Sequence, residues 1–226
     1  MSEASPARDD GRSARDRAEW DESEPALEQR ATPRFTLLIR TAKLVAASGE
    51  YLCVVRDVSR EGLKVRTFHP LPQGEDFAIE LASGERYRVD KIWVEDDVTG
   101  FRFAGPVPLE RLLAEAPDGL RKRAVRLRLA LPLTLLSGAR PLEATFVDIS
   151  QHGACIECPE HLALDERIRL TCGCLPDLDA RVRWRRRPLY GLIFEQTFRF
   201  DELARLTAPH QTSAAVANPG LQALGG

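Results

Sequence analysis

A six-residue motif occurs twice in this chain at a fixed distance, and this repeat constrains the fold more than any other feature of the sequence. The stretch from Asp57 to Gly62 (DVSREG) returns 91 residues later from Asp148 to Gly153 (DISQHG). Three further landmarks keep the spacing of 91: Trp93 and Trp184, Gly100 and Gly191, Phe103 and Phe194. A fixed period of this kind indicates internal duplication. The chain is therefore predicted to contain one module twice.

The two copies differ by one residue upstream of the motif. Arg34 would map by the same spacing onto Val125, but the nearest arginine is Arg126. The second copy is therefore one residue shorter between its arginine and its Asp-x-Ser motif. We attribute this to a difference in hairpin length, which leaves the repeat intact.

Length and composition favour two small soluble domains. The chain has 226 residues, of which 43% are hydrophobic and 29% charged, enough for two domains of about 90 residues each. No apolar run approaches the roughly 20 residues of a membrane-spanning helix, and the N-terminal residues do not resemble a signal peptide. We therefore expect a cytoplasmic protein without a membrane span.

The charge and the cysteines narrow the function classes. The net charge is −2 and the pI about 6.1, which argues against a general nucleic-acid partner, since that task needs a broad basic surface. Five cysteines form an odd set in a chain without an export signal, so reduced thiols are expected. The four histidines lack a metal-ligand spacing or a neighbouring nucleophile, and we predict neither an enzyme nor a cofactor.

Composition along the chain predicts the domain boundaries. Residues 1–27 and 208–226 are predicted to be disordered tails, because they are rich in small, polar and charged residues. Between them we expect a first domain over 28–115, a linker over 116–120 and a second domain over 121–207.

Short β-like segments separated by turn residues fill both domains. Six are expected in the first copy: Phe35–Ala47, Tyr51–Val55, Leu63–Arg66, Phe77–Leu81, Arg86–Val94 and Phe101–Phe103. Six follow in the second: Leu127–Leu136, Leu142–Val147, Ala154–Cys158, Arg167–Thr171, Asp179–Arg185 and Tyr190–Phe194. Short helices are expected at Leu109–Ala114 and Asp201–Leu206. This pattern predicts an all-β protein with two tandem six-stranded antiparallel barrels, each with a short C-terminal helix.

The motif residues of the first copy suit a guanine nucleotide. Arg30 and Arg34 offer planar forks for phosphate oxygens and for the edge of guanine. Asp57 can accept hydrogen bonds from guanine N–H groups, and Ser59 adds a small hydroxyl. Gly62 allows a tight turn or a close backbone approach.

The sequence at this point resembles the PilZ domain family, whose pattern is Arg-x-x-x-Arg followed by Asp/Asn-x-Ser-x-x-Gly. The resemblance implies six-stranded barrels that act as receptors for the bacterial messenger cyclic di-GMP and pass the signal to a downstream protein partner. It further implies that Arg30 and Arg34 close over the ligand, that Asp57 and Ser59 hold a guanine edge, and that Gly62 shapes the turn.

The second copy departs from the pattern at one position. Lys122 stands where Arg30 stands in the first copy, and lysine lacks the bidentate fork of arginine. A possible second site comprises Lys122, Arg123, Arg126, Asp148, Ser150 and Gly153. Weaker binding and no binding both remain open for this copy.

Other interpretations stay open beside the receptor hypothesis. Without the family, the arginines are solvated surface residues, and Asp57 and Ser59 bond the local backbone of a turn. The barrels could then serve as a ligand-independent docking scaffold. The basic run from Arg181 to Arg187 could contact a nucleic acid or a partner.

Two further groups of residues have a structural interpretation. Cys155, Cys158, Cys172 and Cys174 have spacings compatible with zinc, although strand alternation turns Cys155 away from the others. Trp93 and Trp184 are interpreted as residues that fill or edge the barrels, without a ligand role.

Overall fold

The computed structural model describes residues 35–108 and 124–212, with side chains described from Arg40 onward in the first range. The predicted helix at 109–114, the linker and the N-terminal tail lie outside these ranges. No helix in the described ranges is long and apolar enough to cross a membrane.

The first copy folds into a closed six-stranded antiparallel barrel, barrel 1. Its strands are β1 (Phe35–Ala46), β2 (Gly49–Val58), β3 (Gly62–Thr67), β4 (Phe77–Leu81), β5 (Arg86–Glu95) and β6 (Val98–Phe103). Around the barrel their order is β1-β2-β3-β6-β5-β4. Inward-facing residues such as Leu44, Val65, Ile79 and Phe101 are buried and form its core. Closure leaves the barrel without a free sheet edge.

The second copy folds in the same way into barrel 2. Its strands are β7 (Leu127–Arg128), β8 (Pro132–Ser137), β9 (Arg140–Ser150), β10 (Gly153–Glu157), β11 (Arg167–Cys172), β12 (Leu175–Arg186) and β13 (Leu189–Phe194). Strands β8 to β13 close a ring because β10 pairs with both β9 and β13, and β7 pairs with β9. The tandem six-stranded barrels predicted from the sequence are thus confirmed.

The predicted strand over Leu127–Leu136 is divided in the structure. Its first two residues form β7, and β8 begins only at Pro132. Proline lacks a backbone N–H and fits at the first residue of a strand, where no ladder bond is lost.

The one-residue difference between the copies lies in this first strand and not in a hairpin, contrary to our interpretation. Both hairpins turn through two residues, since Ala46 pairs with Gly49 and Ser137 pairs with Arg140. The register shift in β1 follows Thr36, and its counterpart is the interruption between β7 and β8. A strand irregularity absorbs a change in length without disturbing the turn.

Barrel 2 ends in helix α1 (Phe200–Thr207), followed by a 3₁₀ turn over Ala208–His210. Leu203 and Ala204 are buried in the core of barrel 2. The first turn of the helix carries Asp201 and Glu202, which complement the positive end of its dipole. Of the tail predicted over 208–226, the structure describes residues 208–212, and residues 213–226 lie outside the described ranges.

The two barrels share an interface formed by β2. Residues 49–55 of this strand are all buried, so both faces of the strand are covered. Leu52 is 1% exposed and packs with the core of barrel 2. Phe68 contacts Phe200 of α1 edge to face, with ring centroids 5.9 Å apart. Barrel 2 therefore covers one outer face of barrel 1.

Candidate functional site

The Asp-x-Ser-x-x-Gly motif forms the turn between β2 and β3. The amide of Ser59 donates to the carbonyl of Gly62 at 2.8 Å, and the Ser59 hydroxyl donates to the same carbonyl at 3.2 Å. The hydroxyl oxygen also accepts from the amides of Gly62 at 3.2 Å and Glu61 at 3.4 Å. Ser59 is 5% exposed. Its contacts are those of a turn-forming serine, as in the alternative without a ligand.

The second copy repeats this turn. Ser150 is 2% exposed, and its hydroxyl donates to the carbonyl of Gly153 at 3.1 Å. The serine therefore makes the same hydrogen bond to the motif glycine in both turns.

The motif glycines allow two strands to approach closely. A Cβ atom on Gly62 would lie 2.2 Å from the carbonyl oxygen of Phe101 on β6. A Cβ atom on Gly153 would lie 2.1 Å from the carbonyl oxygen of Leu192 on β13. Real Cβ atoms essentially never lie so close to a backbone atom, so both positions require glycine.

Asp57 starts a row of residues that crosses the outer face of barrel 1. It pairs with Lys64 on β3, Lys64 pairs with Gly100 on β6, and Gly100 pairs with Trp93 on β5. On the other side, Asp57 pairs with Thr36 of β1. We call Asp57, Lys64, Gly100 and Trp93 the first row.

The charged groups of the first row are close together and open to solvent. The Lys64 ammonium lies 3.9 Å from the Asp57 carboxylate, and both side chains are 30% exposed. The same ammonium lies 5.7 Å from the centre of the Trp93 ring, within the range of a cation–π contact. The row therefore presents an acceptor, a cation and an aromatic ring side by side.

The Trp93 indole covers Gly100, where a Cβ atom would lie 2.2 Å from the ring. Trp184 covers Gly191 in the same way in barrel 2. Both indoles are on the outer surface, 36% and 41% exposed, so they edge the barrels and do not fill them. The sequence held a signal for this, because a glycine follows each tryptophan by seven residues in both copies.

A corresponding row crosses barrel 2. Asp148 pairs with Cys155, Cys155 with Gly191, and Gly191 with Trp184. We call these four residues the second row. The guanidinium of Arg126 donates to the Asp148 carboxylate. Arg126, the arginine of the second copy that corresponds to Arg34, therefore contacts the motif aspartate, Asp148.

The second row carries a thiol where the first row carries an ammonium. Burial raises the pKa of the Cys155 thiol to about 12, and the neighbouring Asp148 carboxylate adds to the rise, so the thiol is neutral at physiological pH. The second row therefore lacks the cation that Lys64 supplies in the first.

The remaining predicted site residues, Arg30, Arg34, Lys122 and Arg123, lie outside the described residues. The copies nevertheless correspond at this point in register: Phe35 pairs with Val58, and Leu127 pairs with Ile149. The residues that precede Phe35 and Leu127 are Arg34 and Arg126.

The cysteines and the basic run take other roles. In residues 35–108 and 124–212, no three His, Cys, Asp or Glu side chains converge on a common point as metal ligands would, so the zinc alternative finds no site there. Arginines of the basic run contact nearby acceptors: Arg181 approaches Glu195 at 3.3 Å and Arg183 approaches Asp165 at 3.4 Å. Their positive charge is thus partly offset locally.

Comparison with known proteins assigns the family. The sequence profile of the PilZ domain matches residues 28–114 and again residues 120–208. The chain therefore belongs to the PilZ domain family, as its motifs indicated. A search of the curated proteins finds no match.

Solved structures similar to this chain include three from different bacteria. PlzA of Borreliella burgdorferi, in complex with c-di-GMP, has 10% identity and a TM-score of 0.32, covering 74% of this chain and 87% of that chain. The inhibitor of motility MotI/DgrA of Bacillus subtilis has 15% identity and a TM-score of 0.32, covering 76% and 95%. YcgR of Escherichia coli, in complex with c-di-GMP, has 13% identity and a TM-score of 0.28, covering 74% and 80%.

Proposed function

We propose that this protein is a receptor for cyclic di-GMP and not an enzyme, and that the outer face of barrel 1 carries the main binding site. The observation that supports this most directly is the first row. It places a carboxylate, an ammonium and an exposed indole on adjacent strands, beside the strand that follows Arg34. Membership of the PilZ domain family points to the same ligand.

The groups of the first row match the parts of a guanine nucleotide. Asp57 accepts hydrogen bonds from the N–H groups of guanine, and Lys64 attracts phosphate oxygens. From the sequence Trp93 is assigned no ligand role, but its exposed indole can stack on a purine, which contributes about 1–3 kcal/mol in single-stranded nucleic-acid complexes. Ser59 and Gly62 contribute through the turn that holds Asp57 in place.

The arginines of the first copy complete the proposed site. Arg126 reaches Asp148 in barrel 2, and Arg34 precedes the equivalent strand in barrel 1. By this correspondence we propose that Arg34 approaches Asp57, and that Arg30 and Arg34 bind phosphate and guanine of the ligand.

The second row forms a weaker site in this proposal. Lys122 replaces an arginine and Cys155 replaces a lysine, so two groups that would bind phosphate are weakened or lost. Arg126, Asp148 and Trp184 remain, so the row keeps a guanidinium, a carboxylate and an indole.

The signal would reach a downstream protein partner through a change of surface. We propose that the ligand orders residues 29–34 over the first row, which alters what barrel 1 presents to that partner. A ligand shifts such an equilibrium only by its differential affinity for the ordered state. Hydrogen exchange over residues 29–34 should therefore slow at saturating ligand.

A docking scaffold is the second candidate, and one observation favours it. Ile92 and Val94 flank Trp93 on β5 and are 50% and 58% exposed. Several exposed large apolar residues on one strand are typical of protein contact sites. In this case the first row would be covered by a protein and would bind no nucleotide.

Calorimetric titration of cyclic di-GMP tests the proposal. We expect Asp57→Ala and Arg34→Ala to abolish the tighter binding and Arg126→Ala to spare it. Asp76→Ala is a matched control, because Asp76 is a 93% exposed carboxylate of the same barrel outside the row. Absence of heat with the unmutated protein would refute the receptor function and favour the scaffold.

A further inference from the structure

The two-residue strand β7 has hydrogen-bonding partners on both of its edges. On one edge, Leu127 and Arg128 pair with Ile149 and Asp148 of β9. On the other edge, the carbonyl of Arg126 and the amide of Arg128 face barrel 1. A short strand with an open edge needs partners for these groups, because buried backbone polar groups are costly when unpaired.

Two side chains of barrel 1 supply these partners. The Lys43 ammonium donates to the carbonyl of Arg126 at 3.0 Å, and the Glu50 carboxylate accepts from the amide of Arg128 at 2.8 Å. Lys43 and Glu50 also bind each other at 2.8 Å. The ion pair thus takes the place that a neighbouring strand would occupy.

This ion pair is buried. Glu50 is fully buried and Lys43 is 6% exposed, although both lie on the outward face of barrel 1. Removing a charge from water is expensive unless it is paired and hydrogen-bonded, and in some proteins such pairs specify a geometry more than they stabilise the fold. Here that geometry is the path of the backbone through Arg126 and Arg128.

Gln211 closes the network from the C-terminal side. Its amide oxygen accepts from the backbone of Glu50 at 2.9 Å, and its amide nitrogen donates to the carbonyl of Arg128 at 3.4 Å. Gly49 allows this contact, since a Cβ atom there would lie 2.3 Å from the Cβ of Gln211. β7 is therefore held by barrel 1 and by the segment after α1 together.

From these contacts we infer that barrel 1 positions the ligand-binding arginine of barrel 2, with Lys43 and Glu50 as positioning residues. The inference rests on the proposed second site. Arg126 is held at its carbonyl by Lys43 and at its guanidinium by Asp148 of the second row. Breaking the ion pair removes the hydrogen bonds that hold this backbone. The Arg126 side chain is then no longer oriented for the ligand before binding.

The inference has a thermodynamic consequence. If the interface orders Arg126, a ligand that binds Arg126 must stabilise the interface by the same free energy. The second site is then sensitive to the packing of the two barrels, and the first site is not.

The test uses the full chain with the double variant Lys43→Met/Glu50→Leu. The double variant removes the ion pair and the partners of the β7 backbone groups; Glu80 keeps Arg86 as its partner, and the Arg128 guanidinium loses Glu50. Glu75→Leu is the control, since Glu75 binds Ser48 on the same hairpin without touching β7. Glu50→Gln serves as a second variant that keeps the shape of the side chain. Thermal unfolding checks that each variant is folded.

The first measurement needs no ligand. Exchange of the Arg128 amide, followed by NMR, should accelerate about tenfold or more in the double variant and stay unchanged in Glu75→Leu, because one hydrogen bond to a charged group is lost. Glu50→Gln should give a smaller acceleration, since its side chain still accepts a bond. Unchanged Arg128 exchange in the folded double variant would overturn the inference.

The second measurement is titration of cyclic di-GMP in two backgrounds. Asp57→Ala isolates the second site and Asp148→Ala isolates the first. We expect the double variant to weaken the second site about tenfold and to leave the first within about twofold. Faster exchange with unchanged affinity at the second site would refute positioning. Absence of binding in the Asp57→Ala background would refute the second site itself, and Arg128 exchange would then decide alone whether barrel 1 holds β7.

Discussion

Substitution of the motif glycine by alanine separates the packing role of this residue from a ligand role. In Gly62→Ala, the new Cβ would lie 2.2 Å from the carbonyl oxygen of Phe101, whereas ordinary van der Waals contact begins at 3.4 Å. The obstacle is backbone, so β3 and β6 must move apart by about 1 Å, a small-to-large overpacking. Such overpacking lowers the free energy of unfolding by about 1–3 kcal/mol.

The expected effect on stability is readily measured. For a protein of this size, a loss of about 1–3 kcal/mol corresponds to a fall in melting temperature of about 2–12 °C. Thermal unfolding followed by circular dichroism measures it directly. Gly153→Ala should behave alike, because its Cβ would lie 2.1 Å from the carbonyl oxygen of Leu192. Gly105→Ala is the control, since a Cβ atom at that position would meet nothing within 4 Å.

The reasoning would be refuted by one pattern of results. If Gly62→Ala melted like the unmutated protein and lost affinity for cyclic di-GMP, the glycine would serve the approach of the ligand and not the packing of the strands. A lowered melting temperature with affinity preserved in the folded fraction would support the packing role.

Two further predictions follow from the titratable residues. Burial lowers the pKa of His69, so below a pH of about 6.5 the unfolded chain takes up a proton that the folded chain does not, and the protein loses stability as the pH decreases. His69→Phe should flatten this part of the profile of melting temperature against pH, and an unchanged profile would contradict the assignment. Cys155→Lys places an ammonium between Asp148 and Trp184, where Lys64 places one in the first row. Titration in the Asp57→Ala background should then show cyclic di-GMP binding at the second site that is severalfold tighter. Equal or weaker binding would argue against a phosphate contact at this position.

The architecture was predictable because its signals are local or periodic. Alternating apolar residues and turn residues define each strand, and the spacing of 91 residues shows that the pattern is used twice. The interruption between β7 and β8 was harder to predict from the sequence, since a proline inside an apolar run can either end a strand or begin one.

The proposed site was predictable only in part. The motif identified Asp57, but its neighbours Lys64, Gly100 and Trp93 come from three other strands and meet only through the pairing register. The same register places the hydroxyl of Ser59 inside the turn, where it bonds to Gly62. Residue types indicate a chemistry, whereas register decides which of them share a surface.

The sequence alone determined the duplication, the two barrels and the motif aspartates, because these depend on spacing and on alternation along the strand. Only the tertiary structure decided that barrel 2 covers the outward face of β2. Lys43 on β1 and Glu50 on β2 have the sequence pattern of solvated residues, whereas both are buried in the structure. Whether an outward-facing side chain is solvated depends on what packs against it. Here barrel 2 packs against Lys43 and Glu50, which form a buried ion pair and bind the backbone of β7.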